Sequence, residues 1–144
     1  MQINLTENQC YVRAFVVFEK ETNIKFLRIL KKGFRHCFIV IRQKDGWLEI
    51  NPLSNRLLVV FHADKTIKKV PYFLIDKNKF LFVEAEVQAV PPCCAPLFFF
   101  TCVEFVKRFL GIHDFFIMTP YQLYKKIKNC RKKILTNGIF HNIP

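Results

Sequence analysis

The sequence predicts an α+β domain in which antiparallel strands come first and two helices follow. Three observations predict it. β-rich runs recur as far as Val90. Asp45-Gly46 stands between two of them as a hairpin signal. After the loop PPCCAP, the apolar spacing changes from every second residue to every third and fourth, and two capping boxes mark helix starts.

The first predicted strand is Tyr11 to Phe18 (YVRAFVVF). Asn23 to Lys32 carries Ile24, Leu27 and Leu30 at three-residue spacing, a short helical pattern that Gly33 stops. Phe34 to Arg42 and Trp47 to Asn51 flank the QKDG turn as a hairpin, with Lys44 expected opposite Trp47, Arg42 opposite Glu49 and Val40 opposite Asn51. Arg56 to His62 is a further strand. Phe80 to Val90 is a long one, with Glu84, Glu86 and Gln88 alternating against apolar neighbours. Thr101 then caps a helix with Glu104 expected to reach back to it, and Gly111 ends that helix. Thr119-Pro120 opens a second helix, with Gln122 completing its capping box and Leu123, Tyr124 and Ile127 on its apolar face.

The chain has 144 residues, with neither repeats nor low-complexity linkers, and reads as a single domain over 1–144. Its 17 phenylalanines point to a thick core or an exposed apolar patch. A formal net charge of +12 favours anionic partners such as nucleic acid or another anionic polymer. The charge is densest at Lys125, Lys126, Lys128, Arg131, Lys132 and Lys133, yet no zinc-finger spacing or RNP-like aromatic motif accompanies it. The start, MQINLTENQCYV, lacks the pattern of a secretory signal. The longest charge-free interval, Val87 to Val103, is broken by Pro91, Pro92 and Pro96, so no integral membrane segment is expected. The six cysteines (10, 37, 93, 94, 102 and 130) are therefore read as mostly reduced thiols in a cytoplasmic protein.

Cys102 is the foremost candidate for chemistry. With Thr101 as N-cap it is the first helical residue, where unpaired N–H groups and the helix dipole stabilise a thiolate. A nucleophilic thiol wants a base within reach, and His36 is the best placed of four histidines, near the start of an apolar strand. The hairpin puts His36, Val40, Glu49 and Asn51 on one face. Asn51 is the expected orienting partner of His36, with Glu49 as its competitor. The plainer readings are a core cysteine, a strand-edge histidine and a turn-shaping asparagine before Pro52. Adjacent Cys93 and Cys94 lack the spacing of structural zinc and read as lining of a loop over the site, so no metal or cofactor is expected. Phe98, Phe99 and Phe100 read as a buried segment or an apolar substrate wall. His62, His113 and His141 read as surface or packing residues.

TCVEFVKRFLGI resembles the cysteine helix of the NlpC/P60 superfamily, and GFRHCFIVI with DGWLEINP resembles its histidine strand and the strand after it. The histidine precedes the cysteine, as in the circularly permuted branch that includes lecithin:retinol acyltransferase-like proteins. The resemblance covers roughly His36 to Leu110. It implies a papain-like α+β fold and a Cys–His–polar triad serving peptidase, amidase or acyltransferase chemistry. On that resemblance Cys102 attacks an amide or ester carbonyl, His36 is the base and Asn51 orients it. A cell-wall peptide of a bacterial or phage system is one implied substrate. Two positions depart from the family pattern: Thr101 stands where Asp or Asn is commoner, and the third residue is not histidine. The alternative function is a non-catalytic basic binding or assembly module that keeps the fold.

Overall fold

A computed structural model describes residues 13–21, 25–64, 69–76, 78–87 and 101–139. Its strands are β1 (Arg13–Glu19), β2 (His36–Gln43), β3 (Gly46–Pro52), β4 (Leu57–Ala63) and β5 (Phe80–Glu86). Its helices are α1 (Cys102–Leu110) and α2 (Pro120–Ile139). The strands form one antiparallel sheet in the order β4-β3-β2-β1-β5, which makes the chain α+β. No helix among the described residues is long and apolar enough to cross a membrane.

Period-2 alternation sorts the central strands into two faces. Ala14, Val16 and Phe18 of β1 join Cys37, Ile39 and Ile41 of β2 on one face, where they pack against Val103, Val106 and Leu110 of α1 and Leu123 and Ile127 of α2. Phe18 is fully buried there, a side chain whose transfer from water contributes about 2–3 kcal/mol. It meets Tyr124 edge-on at 5.6 Å, which ties α2 to the sheet. On the other face Val17, Phe38, Val40 and Trp47 enclose Leu74.

Several expectations need correction. The short helical pattern expected over 23–32 is a 3-10 helix confined to Lys25–Ile29, and residues 23 and 24 lie outside the described residues. A second 3-10 helix, Tyr72–Leu74, was not foreseen. The last strand ends at Glu86, and residues 88–90 lie outside the described residues, as do Tyr11, Cys93, Cys94, Phe98 to Phe100 and His141.

The hairpin register also differs by two residues. Arg42 faces Trp47, Val40 faces Glu49 and Gln43 faces Gly46, so Lys44 and Asp45 form the loop. Gly46 serves β4 instead of a left-handed turn position. A Cβ on it would lie 2.3 Å from the His62 carbonyl oxygen, so only glycine lets the two strands approach. A slip of two residues preserves side-chain parity, and His36, Glu49 and Asn51 keep their common face.

At α1, the Thr101 hydroxyl accepts from the Glu104 backbone N–H at 3.2 Å. The reciprocal half of that capping box is not formed. The Glu104 carboxylate accepts instead from Lys107 at 2.8 Å and Arg108 at 3.1 Å, because two cations one turn on compete better than a neutral N–H. At α2 the box closes both ways: Gln122 Oε1 accepts from the Thr119 N–H at 3.0 Å and the Thr119 hydroxyl accepts from the Gln122 N–H at 3.3 Å. Gly111 ends α1 in the left-handed conformation, with φ 72°.

Candidate active site

His36 is the first residue of β2 and Cys102 the first of α1. Packing of α1 over the sheet brings the two termini together, so that the Cys102 sulfur interacts with the His36 ring and with Cys37. Two successive residues of β2 therefore reach one sulfur atom, His36 by its imidazole and Cys37 by its thiol and backbone N–H.

The Cys102 thiol is pulled down to about 4. The hydrogen bond from the Cys37 thiol contributes most, burial opposes it, and the His36 bond and charge and the Cys37 N–H add to the lowering. The field at the start of α1 acts in the same direction. Cys37 is fully buried, and its own thiol is pushed well above the ordinary range, by burial first and by the neighbouring Cys102 second. It stays an S–H donor where Cys102 is the acceptor.

His36 is shifted in the complementary direction. Burial opposes its protonation, but the Cys102 hydrogen bond and charge, the Asn51 bond and the Glu19 charge outweigh that, and its pKa is raised. Glu19 faces His36 across the β1–β2 pairing. Its own carboxyl is pushed up, mainly by burial. The two shifts, thiol down and imidazole up, both favour the charged forms of the pair.

Asn51 Oδ1 lies 2.7 Å from His36 Nε2. Glu49 does not displace Asn51 from the imidazole. It lies behind Asn51, accepting from Asn51 Nδ2 at 3.2 Å and from His62 Nε2 at 2.8 Å. His62, expected to be a surface or packing residue, is thus tied to the same polar chain and stacks on Phe73 with ring centroids 4.0 Å apart.

The structure brings Cys102, His36, Asn51 and Glu49 together. Sequence reasoning missed Cys37, Glu19 and His62. Cys37 carried a usable signal: it follows His36 in a strand and so points to the opposite face, the one that receives α1. Among the described residues no group of three or more His, Cys, Asp or Glu side chains is disposed to hold a metal ion. No family model, curated protein or solved structure matches the chain.

Proposed function

We propose that the chain is a thiol hydrolase or acyltransferase of the papain-like, permuted NlpC/P60 type, acting on an amide or ester carbonyl. One observation carries this reading: the His36 ring that lowers the Cys102 thiol is itself held by Asn51, whose Oδ1 lies 2.7 Å from Nε2. The order histidine, polar residue, cysteine along the chain supports it, as does the antiparallel sheet covered by the helix that Cys102 opens.

In the proposed reaction the Cys102 thiolate attacks the carbonyl carbon and the C=O electron pair moves to oxygen. The N–H groups of Cys102 and Val103, at the start of α1 and ahead of its own hydrogen-bond ladder, are the proposed donors to that oxyanion. With Nε2 engaged by Asn51, His36 uses Nδ1 to give its proton to the leaving nitrogen or oxygen. The C–N or C–O bond breaks and a thioester remains on Cys102. His36 then takes a proton from water, whose oxygen attacks the thioester; the C–S bond breaks and releases a carboxylic acid and the Cys102 thiolate beside protonated His36. A second nucleophile in place of water gives acyl transfer. Proton transfer by a positioned imidazole typically contributes about 10²- to 10⁴-fold.

The test is acylation of the full chain with p-nitrophenyl acetate, read by peptide mass spectrometry. One acetyl group on the Cys102 peptide is expected, absent in Cys102→Ala and slowed in His36→Ala. Acetyl spread equally over Cys102 and the exposed Cys130 would overturn the reading.

A second reading, binding of an anionic polymer, has its own observation. Lys31 and Lys125 both lie over the Tyr121 ring, at 3.5 and 4.8 Å from its centroid. Salt-dependent association that Cys102→Ala leaves unchanged and Lys31→Gln with Lys125→Gln abolishes would favour it.

A further inference from the structure

The polar chain on the sheet does not stop at the residue that holds His36. It continues from Asn51 through Glu49 to His62 and ends on Phe73, passing from β3 to β4 and the Tyr72–Leu74 turn. Asn51 and Glu49 are alternate residues of β3, and Glu49 meets His62 diagonally across the β3–β4 pairing, in which His62 faces Trp47 and Val60 faces Glu49.

This extension has a chemical consequence for the imidazole. An asparagine amide has an oxygen on one side and an NH₂ on the other, and either could face His36. An ionised carboxylate only accepts. With Glu49 Oε1 at 3.2 Å, the Asn51 NH₂ must turn toward Glu49, so Oδ1 turns toward His36. Oδ1 in turn accepts only an N–H, which fixes the proton of neutral His36 on Nε2 and leaves Nδ1 facing the sulfur. Glu49 needs its own restraint, and His62 supplies it at 2.8 Å while its ring is stacked on Phe73.

We infer that Glu49 and His62 are positioning residues for the Cys102 site, setting the amide orientation of Asn51 and thereby the tautomer of His36. The inference rests on the thiol-hydrolase reading of that site. The ionisable groups around His36 are Glu19 from β1, Cys37 beside it on β2, Glu49 from β3 and Cys102 from α1, with His62 of β4 reaching it through Glu49.

The test follows alkylation of Cys102 in the full chain by iodoacetamide from pH 3.5 to 9, with the Cys102 peptide read by mass spectrometry. Glu49→Gln can donate or accept and no longer forces the amide. Its acid limb is expected to rise by about one pH unit, a tenfold lower rate on the acid side of the midpoint. His62→Leu removes the restraint on Glu49 and is expected to move the limb the same way by a smaller amount. His62→Gln, which keeps an N–H donor, is expected to bring it back. Nitrogen-15 NMR of the wild-type ring at a pH above the His36 transition is expected to show the proton on Nε2. A purely structural role would lower stability in His62→Leu and leave the limb in place, and that result overturns the inference. Should Glu49→Gln fail to fold, the His62 pair decides alone. A wild-type limb at the position of an ordinary thiol overturns the thiol-hydrolase reading as well. An activated wild type whose Glu49 and His62 variants are unchanged overturns only this inference.

Discussion

His36 Nε2 donates to Asn51 Oδ1 at 2.7 Å across β2 and β3. When the ring is protonated this bond is charge-assisted, and its loss then leaves a buried imidazolium short of an acceptor. Asn51→Ala is expected to cost about 1–3 kcal/mol in urea unfolding at pH 5. The pH dependence follows from the raised His36 pKa. A raised base contributes stability that is fully present below the unfolded imidazole pKa and is lost as pH rises through the folded value. The difference between wild type and Asn51→Ala is therefore largest near pH 5 and narrows above the His36 transition. A difference that grows with pH would contradict the assigned charge.

Cys37 is the largest single cause of the lowered Cys102 pKa. Cys37→Ala removes the S–H donor and is expected to raise the midpoint of Cys102 alkylation by about one unit or more. Cys37→Ser keeps a donor and is expected to hold the midpoint nearer the wild-type value. Loss of one buried sulfur should cost about 1 kcal/mol of stability in the alanine variant. Equal midpoints in wild type and Cys37→Ala, read by pH-dependent alkylation, would remove Cys37 from the site.

Gly46 is needed for space. A Cβ there would sit 2.3 Å from the His62 carbonyl oxygen and 3.1 Å from the Ala63 Cα, both backbone atoms that move only with the strand. Gly46→Ala is expected to destabilise the protein by about 3 kcal/mol, measured by urea unfolding. Because His62 lies on the displaced strand, its contact with Glu49 should loosen as well, visible as a shifted His62 ring resonance. An unchanged unfolding midpoint would mean that β3 and β4 do not approach as described.

Lys107 is buried, and its ammonium joins the Glu104 carboxylate at 2.8 Å to the Ile117 carbonyl at 3.2 Å. It therefore pins α1 to the connection before α2. Lys107→Met keeps the aliphatic stem and leaves the Ile117 carbonyl without this donor, with an expected cost of about 2 kcal/mol. Burial opposes ionisation of Glu104, yet the bonds and charges of Lys107 and Arg108 hold its carboxyl below the usual range. A lowered acid contributes stability above its unfolded pKa that is lost as pH falls through the folded value. The wild-type advantage over Lys107→Met should accordingly shrink on acidification below about pH 4. Thermal melts at pH 3 and pH 7 check both statements.

The order of strands and helices was legible because period-2 and period-3.6 apolar patterns do not overlap in this chain, and because Thr101, Gly111 and the Thr119–Gln122 box are strong local punctuation. The hairpin register was not legible. Asp45-Gly46 reads as a turn pair, whereas the glycine answers to β4, a strand that approaches only after folding. The common face of His36, Glu49 and Asn51 survived that error through parity alone. Cys37 and His62 were passed over for a related reason. Each acts through a long-range partner, and neither has a spacing signal of its own.

Cys102 alkylation as a function of pH, in wild type and His36→Ala, tests the central claim most directly. With a thiol at about 4, the thiolate is nearly complete at pH 5. A thiol that acidic is intrinsically less nucleophilic, by about 100-fold relative to an ordinary one, so the net advantage over a free cysteine at pH 5 is about 30-fold. The expected wild-type rate is nearly flat from pH 5 to 7, and His36→Ala should restore a rising profile. A wild-type rate that climbs about tenfold per pH unit from 5 to 8, as for an ordinary thiol, would contradict an activated cysteine at this site.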